Sequence, residues 1–328
     1  MASTNPPNIV VTCSNLKSGD AGNRILKAKK KGMPDFDKWV KKIKSAHKKP
    51  RAPLRPAIDV YQGPYWSKVR DLENRFGKNI RVSVCSAGYG LIDLQTGILP
   101  YKATFGDGDH SISPESAERH DRNRHWWDLL TKWPGPNRGD RRSLQALVKS
   151  DPGAPLVIAG SRRYLEAMRD DLEKTVGTLD DPGQLVIIST GTKSLGKLDD
   201  HILKTARRMR LHDEIGGSAH ELNVRLLRYA IETILKANPK NCLPLLKKKF
   251  NTLLENSPTE RDYQKDRKPI TVEKLKAWIE GQLEKDPEAC KTPLLRRLRD
   301  EAKSSFEQKR FGKIFDEVKA SMAAKSPS

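Results

Sequence analysis

The sequence has few cysteines and no long apolar run. Its four cysteines, Cys13, Cys85, Cys242 and Cys290, are scattered over 328 residues and form no Cys-x-x-Cys pair. That spacing argues against a disulfide framework and a cysteine-based zinc site, and it favours a reducing compartment. The first eight residues lack the apolar core of a secretory signal, and no stretch approaches the ~18 apolar residues of a membrane span. We therefore expect a cytoplasmic protein, or a nuclear one in a eukaryote, with no membrane partner.

Motifs for metal and nucleotide chemistry are also missing. The seven histidines are dispersed without an HExxH or paired-ligand pattern. Residues 191–194 (GTKS) match the end of a phosphate-binding loop but lack its first glycine at the required spacing. Asp107, Asp109 and His110 offer oxygen and nitrogen ligands, yet no further acids follow at the spacing of an EF-hand. We accordingly expect no metal and no cofactor.

Positive charge is concentrated in two segments of a chain whose formal net charge is +21. Residues 24–55 hold 13 Lys/Arg against Asp35 and Asp37, and residues 236–328 hold 22 Lys/Arg against 14 acids. The remainder is nearly neutral. Clustered cations pair with phosphates and release condensed counterions, so the pattern predicts a nucleic-acid-binding protein. The alternative is a basic surface that binds nothing in particular.

Four continuous apolar runs alternate with amphipathic segments. We expect strands at 8–13, 79–86, 154–160 and 184–189. We expect helices at 35–47, 64–76, 121–132, 141–149, 162–176, 198–210 and 219–236. Buried strands alternating with helices predict an α/β fold with a mostly parallel, open sheet covered by helices on both faces. Residues 87–121 are rich in Gly, Asp and aromatic side chains and are expected to form a long irregular segment of functional character.

The charge pattern and the periodicity together suggest three parts. The α/β core is expected over 1–236, with a basic insertion at 22–56. Residues 237–270 would be a linker or helical connection. A small, basic, all-α module would follow over 271–328, with amphipathic helices near 271–283, 293–302 and 305–322 that resemble a helix-turn-helix or winged-helix unit.

All four predicted strands end in small or hydroxyl-bearing residues, among them Cys13, Ser14, Ser86, Ser161 and Ser189. In an open parallel sheet, ligands bind in the crevice outside the carboxyl ends of the strands. Small side chains let a ligand approach the backbone, and hydroxyl groups offer hydrogen bonds. The alternative is that small residues merely suit tight strand-to-helix turns.

Aromatic residues cluster in two segments expected beside that crevice. Residues 59–66 (DVYQGPYW) carry Tyr61 and Tyr65, and residues 86–92 (SAGYGLI) carry Tyr89. Aromatic faces next to hydroxyl and carboxylate groups are what a pocket for a flipped base requires. The tyrosines would equally serve as ordinary packing residues.

Ordered short motifs carry a family resemblance. They are Val11-Thr12-Cys13-Ser14-Asn15-Leu16-Lys17, residues 59–64 (DVYQGP), residues 86–92, Pro100-Tyr101 and Thr104-Phe105. The succession resembles bacterial and phage domains related to the peroxide-stress YaaA proteins, and more remotely the non-transferase domains of archaeosine tRNA transglycosylases. It covers about the first 235 residues. It implies a uracil-DNA-glycosylase-like sheet, and in this basic version a likeness to anti-phage DNA glycosylases that excise modified bases. The chain departs from it in the insertion and in lacking a water-activating Asp-Pro-Tyr motif.

The first functional hypothesis is therefore a DNA base N-glycosylase with antiviral function, acting for example on glucosylated hydroxymethylcytosine. A carboxylate stabilises the oxocarbenium-like transition state and activates water, and the candidates are Asp59, Asp107 and Asp109. The substrate-binding candidates are Cys13, Ser14, Tyr61, Tyr65, Ser86, Tyr89, Ser161 and Asn223. The candidates for binding nucleic-acid phosphates are Lys17, Lys29, Lys30, Lys31, Lys41, Lys42, Arg162, Arg163, Arg296, Arg297, Lys309 and Arg310.

Two alternatives use the same charge and sheet. A non-catalytic DNA-binding stress or defence protein needs no particular carboxylate, so substitution of Asp59 or Asp107 would leave it active. A deazaguanine-type base-modifying enzyme acting on DNA or tRNA would bind a nucleobase or its precursor tightly in the crevice. The expected partner is DNA, double-stranded with a flipped base, with RNA as the alternative.

Overall fold

The chain forms two compact units in a computed structural model, Met1–Ser257 and Pro258–Ser328. The described residues are 5–18, 26–27, 33–48, 53–108, 110–113, 118–137, 139–192, 194–239, 241–259 and 268–325, without the side chains of 26, 27, 300, 309, 324 and 325. Each unit has its own hydrophobic core.

The amino-terminal unit contains nine strands and nine α-helices among its described residues. The strands are β1 (Asn8–Thr12), β2 (Leu26–Lys27), β3 (Arg55–Pro56), β4 (Arg81–Ser86), β5 (Gly90–Asp93), β6 (Gly97–Ile98), β7 (Tyr101–Lys102), β8 (Leu156–Ala159) and β9 (Leu185–Ile188). The helices are α1 (Phe36–Lys48), α2 (Ala57–Val60), α3 (Pro64–Phe76), α4 (Arg119–Lys132), α5 (Leu144–Lys149), α6 (Arg162–Ala167), α7 (Arg169–Val176), α8 (Leu222–Ala237) and α9 (Leu243–Asn256).

Five strands form the main sheet in the order β5-β4-β1-β8-β9. The central strand β1 is parallel to both β4 and β8, and β9 is parallel to β8. Only β5 is antiparallel, paired with β4. Ile9, Val10 and Val11 have no exposed surface, as expected of a strand covered on both faces. The mostly parallel α/β sheet predicted from the sequence is confirmed.

Several predicted elements differ from the observed ones. Strand β5 and two shorter strands lie in the segment expected to be irregular, and Met168 separates α6 from α7 where one helix was expected. The helix predicted at 198–210 is wrong. That region holds two short 3-10 helices, Gly196–His201 and Arg207–Leu211, because its buried side chains do not follow a helical period.

Helix α9 belongs to the core rather than to a connection. Its Leu243, Leu246, Phe250 and Leu253 are buried in the main hydrophobic cluster. For this reason the first unit ends at Ser257, about one helix beyond the boundary expected at residue 236.

The basic insertion contains helix α1, which packs firmly on the core. Trp39, Val40 and Ile43 are buried, and Trp39 Nε1 donates a hydrogen bond of 2.8 Å to the carbonyl of Gly88. The ring of Phe36 contacts that of Trp126 edge to face, with centroids 5.3 Å apart. The lysines of α1 therefore point away from the core, on an element held beside the end of β4.

The carboxy-terminal unit is a small helical fold. Helices α10 (Val272–Lys285), α11 (Lys291–Asp300) and α12 (Gln308–Lys325) enclose a core that includes Leu275, Ile279, Leu298, Phe311 and Phe315. Two short strands, β10 (Lys268–Pro269) and β11 (Ser304–Ser305), pair in parallel; β10 precedes α10, and β11 lies between α11 and α12. Across the described parts of both units, no helix combines the length and apolar character needed to cross a bilayer.

Asp171 joins three elements of the first unit. Its side chain is 8% exposed and accepts hydrogen bonds from the backbone N–H groups of Leu144 (2.8 Å) and Gln145 (3.2 Å) and from Trp127 Nε1 (3.1 Å). These bonds cap the start of α5 and fix α4 against α7. Burial raises the pKa of this carboxyl, and the three donors oppose the shift.

We expect Asp171→Ala to lower the free energy of unfolding by about 3 kcal/mol, because two buried donors and one partly buried donor lose their acceptor. Urea unfolding followed by circular dichroism measures the change. The neighbouring substitution Asp170→Ala is the matched control, since Asp170 is exposed and lies 3.8 Å from Arg124. Equal stability of the two variants would contradict this account of the packing.

Candidate functional site

The carboxyl ends of β1, β4 and β8 lie side by side at one edge of the sheet. The chain runs from β1 to β4 on one side and later returns to β8 on the other, so β1 marks the switch point of the topology. Cys13, Ser86 and Gly160 follow or end these strands. A ligand crevice is expected at this position in open α/β sheets. We refer to it as the carboxyl edge.

Three hydroxyl groups form a closed hydrogen-bonded triangle at the carboxyl edge. The Oη atoms of Tyr61 and Tyr101 are 2.9 Å apart, and Ser86 Oγ lies 3.1 Å from the first and 2.7 Å from the second. All three side chains are almost completely buried. Burial raises the pKa of both tyrosines, so the triangle is uncharged.

A thiol and two further hydroxyls continue this polar cluster across β1. Cys13 Sγ and Thr104 Oγ1 each lie 3.2 Å from Tyr164 Oη. Tyr164 comes from α6, which follows β8, and Thr104 follows β7. The cluster thus links the end of β1 with the segment after β7 and with α6. All of its members are groups that can both donate and accept hydrogen bonds.

Lys17 lies on the loop after β1 and is half-buried against this cluster. Its backbone pairs with that of Tyr61 in an antiparallel bridge. Its Nζ donates to the carbonyl of Ser14 and lies 4.1 Å from the ring centroid of Tyr101 and 5.5 Å from that of Tyr61. Burial lowers the pKa of Lys17, and the nearby Cys13 thiol opposes the shift. Among the described residues, no carboxylate forms an ion pair with Nζ.

The predicted stacking residues are not open to a base in this conformation. Tyr61 and Tyr89 have no exposed surface. The ring of Tyr61 packs on Trp66, with centroids 4.6 Å apart, and Tyr89 Oη accepts a bond of 3.1 Å from the N–H of Leu99. Tyr65 Oη donates to the carbonyl of Ala159, and burial raises its pKa to about 12.

The structure separates the three predicted carboxylates. Asp59 is exposed on α2, and its carboxylate has no ion-pair partner in the described part of the chain. Its backbone carbonyl accepts a 2.8 Å bond from Ser18 Oγ, which places it next to the Lys17 loop. Asp107 is paired with Arg119 and Arg163, and these contacts hold its pKa below the usual value. Asp109 lies outside the described residues.

The predicted edge-reading residues fall into two groups. Ser14 and Ser161 are partly or fully exposed at the ends of β1 and β8. The amide of Asn223 is hydrogen-bonded within the protein: its Oδ1 accepts from the N–H (2.9 Å) and the hydroxyl (2.8 Å) of Thr190, and its Nδ2 donates to the carbonyl of Gly160 (3.1 Å). Asn223 therefore ties the ends of β8 and β9 together.

The predicted phosphate-binding cations are distributed over both units. Lys41 and Lys42 are exposed on the outer face of α1. Arg162 approaches Glu166 at 3.5 Å. In the second unit Arg296 is exposed, Arg297 pairs with Glu301 at 3.3 Å, and Arg310 lies over Phe306. The structure does not describe Lys29, Lys30, Lys31 or the side chain of Lys309.

Sequence reasoning assigned no individual role to four members of the site. Tyr101 and Thr104 lie in the resemblance motifs and in the segment 87–121 that was expected to be functional, and Tyr164 is the third residue of the helix after β8. Leu16 is 61% exposed, and no other large hydrophobic side chain in the described chain is classed as exposed. Its chain neighbour Lys17 was assigned only to phosphates. The feature of the sequence that could have indicated Leu16 and Tyr164 is that each lies a few residues after the end of a predicted strand.

No protein-family model, curated protein or solved structure matches this chain. Within the described residues, no group of three or more His, Cys, Asp or Glu side chains is arranged to hold a metal ion.

We expect Tyr101→Phe to lower the free energy of unfolding by about 1–2 kcal/mol, because Ser86 and Tyr61 each lose a buried hydrogen-bond partner. Thermal and urea unfolding measure the loss. Tyr229→Phe is the control: this half-buried tyrosine packs on Phe250, with centroids 5.8 Å apart, and its hydroxyl makes no hydrogen bond within the described structure. A loss of the same size in both variants would show that the triangle adds no stability.

Proposed function

We propose that this protein is a DNA base N-glycosylase that accepts a flipped nucleotide at the carboxyl edge. The observation that carries the proposal is that the Lys17 loop packs against the hydroxyl cluster at the switch point of a strongly basic protein, with the backbone of Asp59 hydrogen-bonded to that loop. Cleavage of an N-glycosidic bond requires a group that stabilises positive charge at C1′ and hydrogen bonds that hold the base. The carboxyl edge offers both kinds of group.

The distribution of charge supports a polyanionic substrate. Helix α1 presents Lys41, Lys42, Lys44 and Lys48 to solvent and is fastened to the core through Gly88, two residues beyond the end of β4. Cations beside the crevice would hold the phosphates that flank the target nucleotide. The rigid attachment of α1 fixes the distance between those cations and the site.

The exposed apolar side chain of Leu16 supports the proposal that the substrate is double-stranded DNA. Leu16 lies on the same loop as Lys17, and the N–H of Gln62 donates a 2.9 Å bond to its carbonyl. Proteins that kink or open a duplex insert apolar side chains between base steps. Leu16 is placed to enter the stack when the neighbouring nucleotide leaves it.

Asp59 is the carboxylate that best fits the catalytic role. It is free of ion pairs within the described structure, whereas both oxygens of Asp107 contact guanidinium groups. We expect Asp59→Asn to lower base release at least about 100-fold with DNA binding retained, because charge stabilisation at C1′ is lost and phosphate contacts are not. Released bases are identified by mass spectrometry from unmodified bacterial DNA and from phage DNA carrying glucosylated hydroxymethylcytosine.

Asp71→Asn is the matched control for that experiment. Asp71 is an exposed carboxylate on α3 that pairs with Lys68 at 2.8 Å, so its substitution removes the same charge away from the site. Asp107→Asn tests the alternative carboxylate. If no base is released from either DNA while salt-dependent binding persists, the glycosylase proposal fails and the non-catalytic DNA-binding function replaces it.

The carboxy-terminal unit is proposed to add phosphate contacts. Arg296 on α11 and Arg310 on α12 are exposed and have no acidic partner for their side chains among the described residues. We expect Arg296→Ala/Arg310→Ala to reduce the slope of log K against log salt by about 2, because each lost phosphate contact removes about 0.9 of the slope. Fluorescence anisotropy on a duplex oligonucleotide measures it.

The control pair is Lys132→Ala/Lys149→Ala, which removes two exposed cations from α4 and α5 of the other unit. Lys132 already pairs with Asp128 at 2.6 Å. An unchanged slope in the arginine variant, or the same fall in both variants, would exclude a phosphate-binding role for this face of the second unit.

A further inference from the structure

Lys17 differs in its surroundings from Lys41 and Lys42, the other predicted phosphate-binding lysines whose side chains the structure describes. Lys41 and Lys42 extend into solvent from a helix surface, where an ammonium group reaches phosphates at little cost. Lys17 is half-buried, and its Nζ lies over the faces of Tyr101 and Tyr61 at 4.1 and 5.5 Å. Two aromatic faces and one backbone carbonyl offset only part of the free-energy cost of burying an ammonium ion.

Backbone hydrogen bonds hold the loop that carries Lys17 at the carboxyl edge. The N–H of Ser18 donates to the carbonyl of Val60 (2.8 Å), the N–H of Gln62 donates to that of Leu16 (2.9 Å), and Lys17 pairs with Tyr61 between them. The loop is thus held on both sides of the lysine. A lysine held this way, with no carboxylate ion-paired to its Nζ among the described residues, is suited to react as a neutral amine.

We propose that Lys17 Nζ is the nucleophile that displaces the base from C1′ of the flipped nucleotide, forming an imine with the sugar. This inference rests on the proposed glycosylase function and adds to it a covalent step. Asp59 would then stabilise the developing charge at C1′ rather than activate water for the first step.

The atoms and electrons of the step balance without a further reactant. The amine lone pair forms the N–C1′ bond, the pair of the broken C1′–base bond goes to the base nitrogen, and the proton lost by the amine is matched by the one the base gains. The C1′–O4′ bond then opens, O4′ takes a proton from solvent, and an iminium links Lys17 to the open sugar. Hydrolysis of the iminium, or loss of the 3′ phosphate by β-elimination, would complete the reaction.

Burial favours the neutral form of the amine, and the groups that face the amine oppose this effect only in part. These groups are Cys13 from the end of β1, Tyr61 after α2 and Tyr101 of β7. Burial raises the pKa of both tyrosines, so they supply no compensating negative charge, and burial lowers the pKa of Lys17 below its ordinary value of 10.5. Imine formation should therefore rise with pH through a midpoint below 10.5.

The full-length protein is tested with a duplex oligonucleotide carrying one abasic site, in the presence of cyanoborohydride. Reduction of the iminium leaves a stable secondary amine, and peptide mass spectrometry identifies the lysine that carries the sugar. We expect the adduct at Lys17, with a rate that rises with pH. Lys17→Met should abolish it, and Lys17→Arg should abolish it while keeping the positive charge.

The control substitution is Lys149→Met, an exposed lysine of α5 outside the site. It should leave the adduct and base release unchanged. Base release from phage DNA carrying glucosylated hydroxymethylcytosine should fall at least about 100-fold in Lys17→Met. Because the folded state lowers the Lys17 pKa, the charged form costs stability below that pKa, so Lys17→Met should not lower the melting temperature.

The outcomes separate this inference from the function on which it rests. Adducts confined to surface lysines, with base release intact in Lys17→Met, would overturn the nucleophile and leave the glycosylase standing. An adduct at Lys17 without base release from any DNA would support an amine that reacts with abasic sugars and would reject the glycosylase. A lower melting temperature in Lys17→Met with normal base release would assign the lysine to structure alone.

Discussion

The parallel pairing of β1 with both β4 and β8 is the constraint on which the rest of the structure depends. Because the chain leaves β1 on one side and returns to the sheet on the other, the loop after β1 is not covered by a crossover helix at the switch point. The registers Val11↔Val84 and Ile9↔Val157 bring the three strand ends to the same level. Cys13 and Ser86 lie at that level.

Burial of polar groups at the carboxyl edge is tolerated because hydroxyls can both donate and accept. Tyr61, Ser86 and Tyr101 satisfy one another, and Tyr164 joins Cys13 to Thr104. Such a network specifies one arrangement of the surrounding segments, since each lost partner leaves a buried polar atom unpaired. The network therefore holds the segments that carry these side chains in one arrangement.

The sequence was sufficient to predict β1, β4, β8 and β9, because buried parallel strands are continuous apolar runs. It was insufficient for β5, which begins at Gly90 and is only four residues long, and for residues 198–210, where Leu198, Leu203 and Met209 are buried at irregular spacing. The structure of these two segments depends on packing against residues distant in the chain, which a local sequence pattern does not show.

The same reasoning explains the outcome at the site. Cys13 and Ser86 were predicted at the carboxyl edge from their place at strand ends, and they lie there. The pairing of Asp107 with Arg119 and Arg163 joins residues far apart in the chain, so no local pattern indicated it. The same holds for Asn223, whose backbone partners come from the ends of two other elements.

Positive charge occurs in two physically different environments in this protein. Exposed cations such as Lys41 and Arg296 act through solvent, so salt screens them and pH changes them little. Lys17 is half-buried, so salt screens its ammonium group less, and its protonation state would become the controlling variable. Affinity and chemistry would then respond to different solution conditions. If the two kinds of cation act independently, the rate of base release will depend on pH even when the fraction of DNA bound is held constant. If only surface charge acts, DNA affinity and the rate of base release will change together.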